Sequence, residues 1–450
     1  MNKRRGVKLL FFFCASIFLC QTVTFSQRKG FTKEEFMKRR TVLMNACKEG
    51  MIILFGDSLA VPGHHFRQDN DFFYFTGVED LSAIVAMAPK TGQSYLFLPQ
   101  QSAREKMVNG MNLLERGDGK EKMGFTDILP VAYFEEFIAR NVRQNGLVFH
   151  LRLSPRDDVT DERWETLIFL ARKNRSPFDR QISLDNYRLQ QLRDNYPVID
   201  FKDITPVITQ MRVIKTAEEI EIMRRNGKAS AEGVKQAMLA SKPGGYEYEI
   251  EAAAVGTVMK YGAKGAAYAP IVGSGPNTCV WHYDENSRQV QDGDLVLMDF
   301  GADLDHLAMD ITRTWPANGK FTPEQREVYQ IVLEIQKACI EAYRPGVTQE
   351  DVQKHVATVM KKKGLDPRGE KGGFGHNVGL ATHDGGPRER VLKEGMVFAI
   401  EPALYYPEKS LGIRIEDTVL ITKRGCEVLT RDVPKEIDEV EKLLATRKIN

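Results

Sequence analysis

Two mostly apolar segments on either side of a polar turn predict a first β-hairpin in the C-terminal half of the chain. One strand covers residues 295–301 (LVLMDFG), the other covers residues 307–315 (LAMDITRTW), and a short polar turn separates them. Folding at that turn places Asp299 opposite Asp310, with their side chains about 5 Å apart. Like charges that oppose each other on a sheet destabilise it unless a cation lies between them.

A second hairpin repeats this arrangement further along the chain. Residues 396–406 (MVFAIEPALYY) and residues 411–422 (LGIRIEDTVLIT) flank a short turn that pairs Glu401 with Glu416. The alternation in the last strand puts Arg414 on the same face as Glu416, so Arg414 is expected beside the carboxylates. Two pairs of opposed carboxylates predict bound cations.

A weak internal repeat precedes the two hairpins. Residues 216–262 and residues 322–364 each predict a capped helix, a break at Lys/Arg-Pro-Gly, and a second helix that ends at glycine. Two such units, each followed by a hairpin, predict a pseudo-twofold arrangement with a central curved β-sheet and helices over its outer face. We therefore predict an α+β fold for residues 205–450, with the cations held between the hairpins.

The preceding part of the chain predicts a mixed α/β domain at residues 28–204. Residues 31–50 have helical periodicity, and Thr32 with Glu35 forms a candidate capping box at the start of that helix. Short apolar strands follow at MIILF, AIVAMAP and QSYLFLP. The aromatic cluster Phe72–Phe75 is interpreted as core or domain-interface packing rather than as a ligand-binding surface.

Residues 1–26 have the pattern of a signal peptide. Basic residues precede an apolar run from Leu9 to Cys20, and small polar residues follow that run. Cleavage after Ser26 would give a secreted or periplasmic protein. The run is short for a bilayer span, so no stable membrane insertion is expected, and an uncleaved anchor is the alternative.

Composition and charge exclude several classes of partner. A chain of 450 residues is long enough for two or three domains with full cores. Its 63 basic and 61 acidic residues leave no basic field for nucleic acid, so small peptides are the expected partners. The cysteines after residue 26 have no CxxC spacing and predict neither a metal site nor a disulfide framework, although an oxidising compartment would allow one pair.

The nitrogen ligand for the predicted cations lies between the two hairpins. His376 is part of the glycine-rich segment 372–386 (GGFGHNVGLATHDGG), where the backbone can approach a crowded centre. Four carboxylates and one imidazole suit Mn²⁺, Co²⁺, Fe²⁺ or Zn²⁺, and their four negative charges balance two divalent ions. Two such ions about 3.5–4 Å apart activate water at neutral pH and polarise a substrate oxygen, which predicts a hydrolase.

Several of these segments carry a family resemblance. The sequences IVGSGPNTCVWHYDEN, DGDLVLMDFGADLDHLAMDITRTWP, HNVGLATHD, LKEGMVFAIEPALYY and GIRIEDTVLIT resemble, in order, the catalytic domain of aminopeptidase P, one of the creatinase/methionine-aminopeptidase metallopeptidases. That match covers residues 205–425. Upstream, residues 65–87 (HFRQDNDFFYFTGVEDLSAIVAM) resemble the N-terminal domain of aminopeptidase P. The resemblance implies the pita-bread fold.

The resemblance also implies a set of metal ligands. Asp299 would bind one metal ion, His376 and Glu401 would bind the other, and Asp310 and Glu416 would bridge both.

Further residues match the family around this centre. His282 and His383 would orient the substrate and stabilise the tetrahedral intermediate. Tyr405 and Arg414 also match family positions, and the arginine would support the metal-binding carboxylates. One departure is Gly372, because the family commonly has a histidine four residues before the ligand histidine. We expect it to alter the grip on the leaving proline and not the binding of metal.

The predicted function is the release of the N-terminal residue from peptides whose second residue is proline, with Glu401 as the proton shuttle. The expected cofactors are two divalent ions, Mn²⁺ first, with Co²⁺ or Zn²⁺ as alternatives, and a homo-oligomer is expected. A prolidase restricted to Xaa-Pro dipeptides is the alternative enzyme. A peptide-binding pseudoenzyme on the same scaffold would have lost ligands, whereas all five are present here.

Overall fold

The computed structural model describes residues 30–58, 65–153, 182–366, 375–386 and 391–447. The predictions for residues 1–26 and for Gly372 lie outside these ranges.

The N-terminal part is built on one six-stranded mixed sheet in the order β4-β3-β2-β1-β5-β6. Strands β1, β2 and β3 pair antiparallel, and the pairs β3–β4, β1–β5 and β5–β6 are parallel. The strands are β1 Met51–Phe55, β2 Ile84–Ala88, β3 Gln93–Leu98, β4 Asp127–Pro130, β5 Val148–Leu151 and β6 Asp200–Asp203.

Helices accompany this sheet along the chain. They are Lys33–Cys47, Asn70–Thr76, Ala103–Asn109, Leu113–Arg116, Gly119–Met123, Phe134–Asn145 and Leu184–Asn195, with a 3₁₀ turn at Val131–Tyr133. The first helix starts as predicted, because the Thr32 hydroxyl accepts a hydrogen bond from the Glu35 N–H. The predicted reciprocal half of the capping box is wrong: the Thr32 N–H donates to Glu218, and the Glu35 carboxylate accepts from Arg39.

Two helix pairs follow, as the internal repeat predicted. Helix Ala217–Ala240 precedes helix Glu247–Lys260, and helix Pro323–Ala342 precedes helix Gln349–Lys362. The first helix of each pair starts with a closed capping box, Thr216 with Glu219 and Thr322 with Gln325. The remaining helices of this part are Thr205–Val213 and Ile437–Leu444, with 3₁₀ turns at Gly275–Cys279 and Pro407–Lys409.

The described strands of the C-terminal part are grouped in several ladders. Their orders are β11-β9-β8, β12-β13-β16-β17, β14-β15 and β10-β7. The strands are β7 Gly265–Ala266, β8 Ile271–Ser274, β9 Leu295–Phe300, β10 Ala302–Asp303, β11 Ile311–Pro316, β12 His376–Asn377, β13 Val397–Ile400, β14 Ala403–Tyr406, β15 Leu411–Arg414, β16 Asp417–Ile421 and β17 Cys426–Val428.

The register of the second hairpin is confirmed. Ile400 pairs with Asp417 on one side of the centre and Ala403 pairs with Arg414 on the other, so Glu401 and Glu416 face each other where the ladder is interrupted. The first hairpin is different.

In the first hairpin the strand partner of Asp299 is Thr312, and Asp310 lies just before β11. The predicted direct pairing of Asp299 with Asp310 is therefore wrong by two residues. The physical reason is that Ala302 and Asp303 leave the hairpin to pair with β7, which adds length to the connection.

The hydrophobic core continues from the N-terminal sheet into the C-terminal part. Phe72 and Phe75 are fully buried in a cluster that also contains Ile222 and Leu420. The aromatic cluster at residues 72–75 is thus core and interface packing, as predicted. Among the described residues, none of the helices is both long enough and apolar enough to cross a membrane.

Candidate metal centre

The five predicted ligands come together in space. Asp299, Asp310 and Glu416 have carboxylate oxygens within 4.8 Å of one another, and so do the ligand atoms of His376, Glu401 and Glu416. Glu416 belongs to both groups. Asp310 belongs to the first group and to a further group with His376 and His383. This overlap is the arrangement expected of bridging carboxylates, although the role of each residue as a ligand remains a prediction.

Thr312 links the two hairpins at the centre. It pairs with Asp299 across β9 and β11, and its hydroxyl donates to Glu416 Oε2 at 2.6 Å. Its carbonyl accepts from the Glu416 N–H at 3.0 Å. The shifted register therefore places a hydroxyl, not a second carboxylate, directly opposite Asp299.

The His376 ring is held between two carboxylates on one side and a backbone carbonyl on the other. Its Nε2 lies 3.4 Å from Asp310 Oδ2 and 3.5 Å from Glu401 Oε1, and its Nδ1 lies 3.1 Å from the Asn377 carbonyl. Burial alone would lower the pKa of His376, but the hydrogen bond to Asp310 and the charge of Glu401 outweigh it and raise the pKa to about 9.

Two of the carboxylates, Asp299 and Glu416, resist ionisation, whereas the pKa of Asp310 is lowered because the hydrogen bond and charge of His376 outweigh its burial. Burial raises the pKa of Asp299 to about 7, with Arg414 opposing the shift and Asp310 adding to it. Burial and the charges of Asp310 and Asp299 likewise raise the pKa of Glu416. Glu416 Oε1 is buried and has no hydrogen-bond partner among the described residues. Each of these features fits a cation, which would favour the charged carboxylates and supply the missing partner.

Tyr268 is a member of the site that the sequence analysis missed. Its hydroxyl oxygen lies 2.5 Å from Asp299 Oδ1 and 2.6 Å from Asp310 Oδ1. One hydroxyl has a single proton and can serve only one of these carboxylates at a time. No spacing signal would have found it, because Tyr268 precedes β8 and lies outside both hairpins.

Arg414 lies beside the site as predicted. Its Nη2 donates to Asp299 Oδ2 at 2.6 Å, its Nη1 donates to the Tyr405 hydroxyl at 2.8 Å, and its Nε donates to the Thr312 hydroxyl at 3.1 Å. One buried guanidinium thus fixes a predicted metal ligand, a tyrosine and the threonine that holds Glu416.

The two outer histidines have different surroundings. The His383 ring packs edge to face on the His376 ring, with centroids 4.0 Å apart. His282 is exposed, and within the described part of the chain no hydrogen bond or ion pair joins it to the five predicted ligands. Its neighbour Trp281 stacks on Tyr405, so this segment runs along the margin of the site.

Sequence comparisons agree with this geometry. Residues 221–423 match metallopeptidase family M24, and residues 36–149 match the N-terminal domain of aminopeptidase P. The chain is 32% identical to the Xaa-Pro aminopeptidase of Escherichia coli strain K12, over 93% of this chain and 99% of that one. The chain belongs to metallopeptidase family M24. It is therefore a hydrolase of the metallopeptidase class, and the predicted family is confirmed.

Solved structures place the chain in the aminopeptidase P group of family M24. A structure described as a putative aminopeptidase P from Bacillus anthracis has a TM-score of 0.81 at 29% identity, covering 93% of this chain and all of that one. The E. coli aminopeptidase P with the inhibitor Pro-Leu has a TM-score of 0.78 at 30% identity, and the match covers 92% of this chain and 99% of that one. These likenesses confirm the predicted fold class, with an aminopeptidase P-type N-terminal domain before a pita-bread catalytic domain.

Proposed function

We propose that this M24 metallopeptidase is an Xaa-Pro aminopeptidase, which releases the N-terminal residue from peptides with proline in second place. The observation that carries the proposal is the combination of the five-residue centre with an aminopeptidase P-type N-terminal domain. Two relatives that match 93% and 92% of this chain are named Xaa-Pro aminopeptidase.

The donor set fits two divalent metal ions. Asp299, Asp310, His376, Glu401 and Glu416 would hold them, and the oxygen-rich set favours Mn²⁺, with Co²⁺ or Zn²⁺ as alternatives. When bound, the ions would supply an activated water and polarise the scissile carbonyl.

Glu401 is proposed to move the proton of the reaction. It is less buried than Asp310, with 28% of its side chain exposed against 6%, so a substrate can reach it. Hydrolysis forms a C–O bond from water and breaks the C–N bond to proline. The leaving nitrogen is a tertiary amide with no hydrogen of its own, so the proton that Glu401 takes from water must be delivered there.

Two further residues support the chemistry. His383 would donate a hydrogen bond to the carbonyl oxygen as negative charge develops there. Arg414 would keep Asp299 ionised and in place, because it is buried against that carboxylate.

A prolidase is the alternative, and peptide length decides between them. The Xaa-Pro dipeptidase of Pyrococcus furiosus is 38% identical, but the match covers only 60% of this chain. We expect cleavage of Xaa-Pro peptides of three to five residues. Activity confined to the dipeptide would favour the prolidase, and absence of any turnover by the metal-loaded protein would favour the peptide-binding pseudoenzyme.

The proposal also covers export of the protein and its oligomeric state. We infer that residues 1–26 direct the protein to the periplasm or the medium and that the mature chain begins near Gln27. An intact mass that retains Met1 in a cytosolic fraction would contradict this. A homo-oligomer is proposed as well, and light scattering of the mature protein tests it.

Gly372 is proposed to weaken the grip on the substrate. If a histidine there holds the leaving proline in other family members, Gly372→His should lower KM or sharpen the preference for proline, with metal content unchanged. No change in either quantity would remove this position from substrate recognition.

A further inference from the structure

Trp281 is a large aromatic residue that the fold leaves open to solvent at the margin of the metal centre. Trp281 is 48% exposed and the neighbouring Val280 is 52% exposed, whereas Trp315 is fully buried. The Trp281 ring lies on the Tyr405 ring, with centroids 5.8 Å apart and 29° between the planes. Stacking covers one face of the indole and leaves the rest of a large apolar surface available for contact.

The backbone, and not a flexible side chain, brings Trp281 over Tyr405. The turn at Gly275–Cys279 packs on β15, where the Gly412 N–H donates to the Thr278 hydroxyl at 2.9 Å. A Cβ atom at Gly412 would overlap the Thr278 carbonyl, so the close approach depends on glycine. Gly412 pairs with Tyr405 across β14 and β15, and the turn that packs on Gly412 therefore delivers Trp281 to Tyr405.

This aromatic pair is joined to the reaction centre by two hydrogen bonds. The Tyr405 hydroxyl accepts from Arg414 at 2.8 Å, and Arg414 donates to Asp299 at 2.6 Å. A peptide whose scissile bond lies at the carboxylates has to continue past the edge of the site, and Trp281 stands at that edge.

We propose that Trp281 is a specificity-determining residue that packs against the proline ring of the substrate and the residue that follows it. The inference rests on the proposed Xaa-Pro aminopeptidase function. Proline has no N–H and presents an apolar ring, so it is recognised by packing rather than by hydrogen bonding to its nitrogen. Aromatic surfaces are the usual partners of proline in peptide recognition, and Trp281 presents an exposed aromatic surface at the edge of the centre.

Steady-state kinetics of the metal-loaded protein test the proposal. The substrates are a tripeptide with proline in second place and its counterpart with alanine there. Trp281→Leu should raise KM for the proline peptide roughly tenfold, the order expected for one lost aromatic contact, and leave kcat within about twofold. Trp281→Phe should keep most of the affinity. KM for the alanine peptide should change little, so the preference for proline falls.

A matched control comes from a second exposed aromatic pair. Tyr248 is 50% exposed and stacks on Tyr246 with centroids 5.0 Å apart, and neither residue contacts the metal centre among the described residues. Tyr248→Leu should leave both KM values unchanged. An equal loss for the proline and alanine peptides in Trp281→Leu, or no loss for either, overturns the proposal.

Tryptophan fluorescence gives a readout that does not depend on turnover. Titration with the dipeptide Pro-Leu should change the emission of the wild-type protein, and Trp281→Phe should abolish most of that change.

If the wild type fails to cleave the proline tripeptide yet responds to Pro-Leu, the proposed function is wrong and the contact stands. If the tripeptide is cleaved but Trp281→Phe responds like the wild type, the contact is wrong. If Trp281→Leu changes only the oligomer mass in light scattering, another copy of the chain covers Trp281 and the proposal falls.

Discussion

The Arg212 guanidinium donates a hydrogen bond to the Asp384 carboxylate at 2.5 Å, and both side chains are almost fully buried. The same guanidinium donates to Asp71 at 2.9 Å through its other terminal nitrogen. Asp71 lies in the N-terminal domain, and Asp384 directly follows His383. One arginine thus ties the N-terminal domain to the segment that carries an imidazole of the active site.

That segment is a closed loop between the two imidazoles. The Asp384 N–H donates to the Asn377 carbonyl at 2.8 Å, which brings His383 back beside His376. Displacement of the Asp384 side chain would therefore move His383 relative to the carboxylates.

We predict that Arg212→Lys lowers kcat by about 10- to 100-fold, the range found for partners that orient active-site groups, with metal content retained. Lysine keeps the charge beside Asp71 and Asp384 but cannot donate to both in the same geometry. Kinetics in a His383→Ala background separate positioning from general damage. If Arg212 acts through His383, Arg212→Lys should have little further effect on kcat there. If the loss of kcat in the double variant equals the product of the losses in the two single variants, the positioning role is contradicted.

Removal of metal should abolish activity. We expect chelation to inactivate the protein, and addition of Mn²⁺ or Co²⁺ to restore it, with up to two ions bound per chain. Full turnover by protein shown to be metal-free would exclude the two-metal centre.

Loss of either bridging carboxylate should affect both ions. Asp310→Asn and Glu416→Gln should each lower metal content and reduce activity by more than about 100-fold, because a shared ligand is lost from both sides of the centre. Glu408→Gln is the control, since Glu408 is an exposed carboxylate in the turn of the second hairpin. Metal content is measured by elemental analysis. Normal metal content and turnover in both bridging variants would show that Asp310 and Glu416 are not ligands.

The second hairpin could be predicted from the sequence down to its register. Its two strands are joined by a short turn, and the alternation from Leu411 to Glu416 sets the face of the last strand, so the pairing of Glu401 with Glu416 could be predicted. A cation site at this hairpin stays a prediction, based on Glu401 and Glu416 facing each other, because such carboxylates repel unless a cation lies between them.

The first hairpin could not be predicted in the same way. Ala302 and Asp303 pair with a two-residue strand that has no pattern of its own, and Asp305 and His306 both adopt positive φ. Local alternation does not reveal either feature, because each depends on contacts with distant parts of the chain. Tyr268 could not be predicted for the same reason, because its partners Asp299 and Asp310 are distant along the chain.

His306 should make the stability of the protein depend on pH. It is buried with its ring stacked on Phe73 at 3.5 Å between centroids, and burial lowers its pKa to about 4. The ordinary pKa of about 6.5 applies in the unfolded chain. Between these values the unfolded state binds more protons, so stability falls as pH decreases from about 6.5 to about 4.

Charged groups surround this histidine on all sides. Glu79 accepts from its Nε2 at 2.8 Å and favours the protonated ring, as does Asp303, whereas Arg67 and Lys264 disfavour it. Burial and the charges of Arg67 and Lys264 outweigh the two carboxylates, so the pKa of His306 is lowered and the ring stays neutral at pH 6.

We predict that the free energy of unfolding falls by about 3 kcal/mol through His306 between pH 7 and pH 4. His306→Asn removes this pH-dependent contribution to the free energy of unfolding, and asparagine tolerates the positive φ at this position. Urea unfolding at pH 7, 5.5 and 4 should give a flatter profile for His306→Asn than for the wild type. The exposed His355→Asn should follow the wild type. Parallel profiles for His306→Asn and the wild type would show that His306 does not titrate as inferred.

Gly301 should be required for the carboxylates to meet. It lies between Asp299 and the diverging residues 302–303, where the chain crosses close to the Met309 backbone. A Cβ atom at Gly301 would overlap the Met309 carbonyl oxygen, and Met309 precedes the predicted bridging residue Asp310. Backbone cannot move aside as a flexible side chain can.

We therefore predict that Gly301→Ala destabilises the protein by about 3 kcal/mol, the upper range for overpacking, and lowers metal content at temperatures where the fold persists. Gly256→Ala is the matched control, because Gly256 is exposed within helix Glu247–Lys260 and a Cβ atom there would meet nothing within 4 Å. That substitution should leave activity unchanged and raise stability by up to about 1 kcal/mol through helix propensity. Thermal unfolding and elemental analysis of both variants measure these effects. If Gly301→Ala binds two ions and unfolds like the wild type, Asp299 and Asp310 do not depend on the close crossing at Gly301 to reach their places.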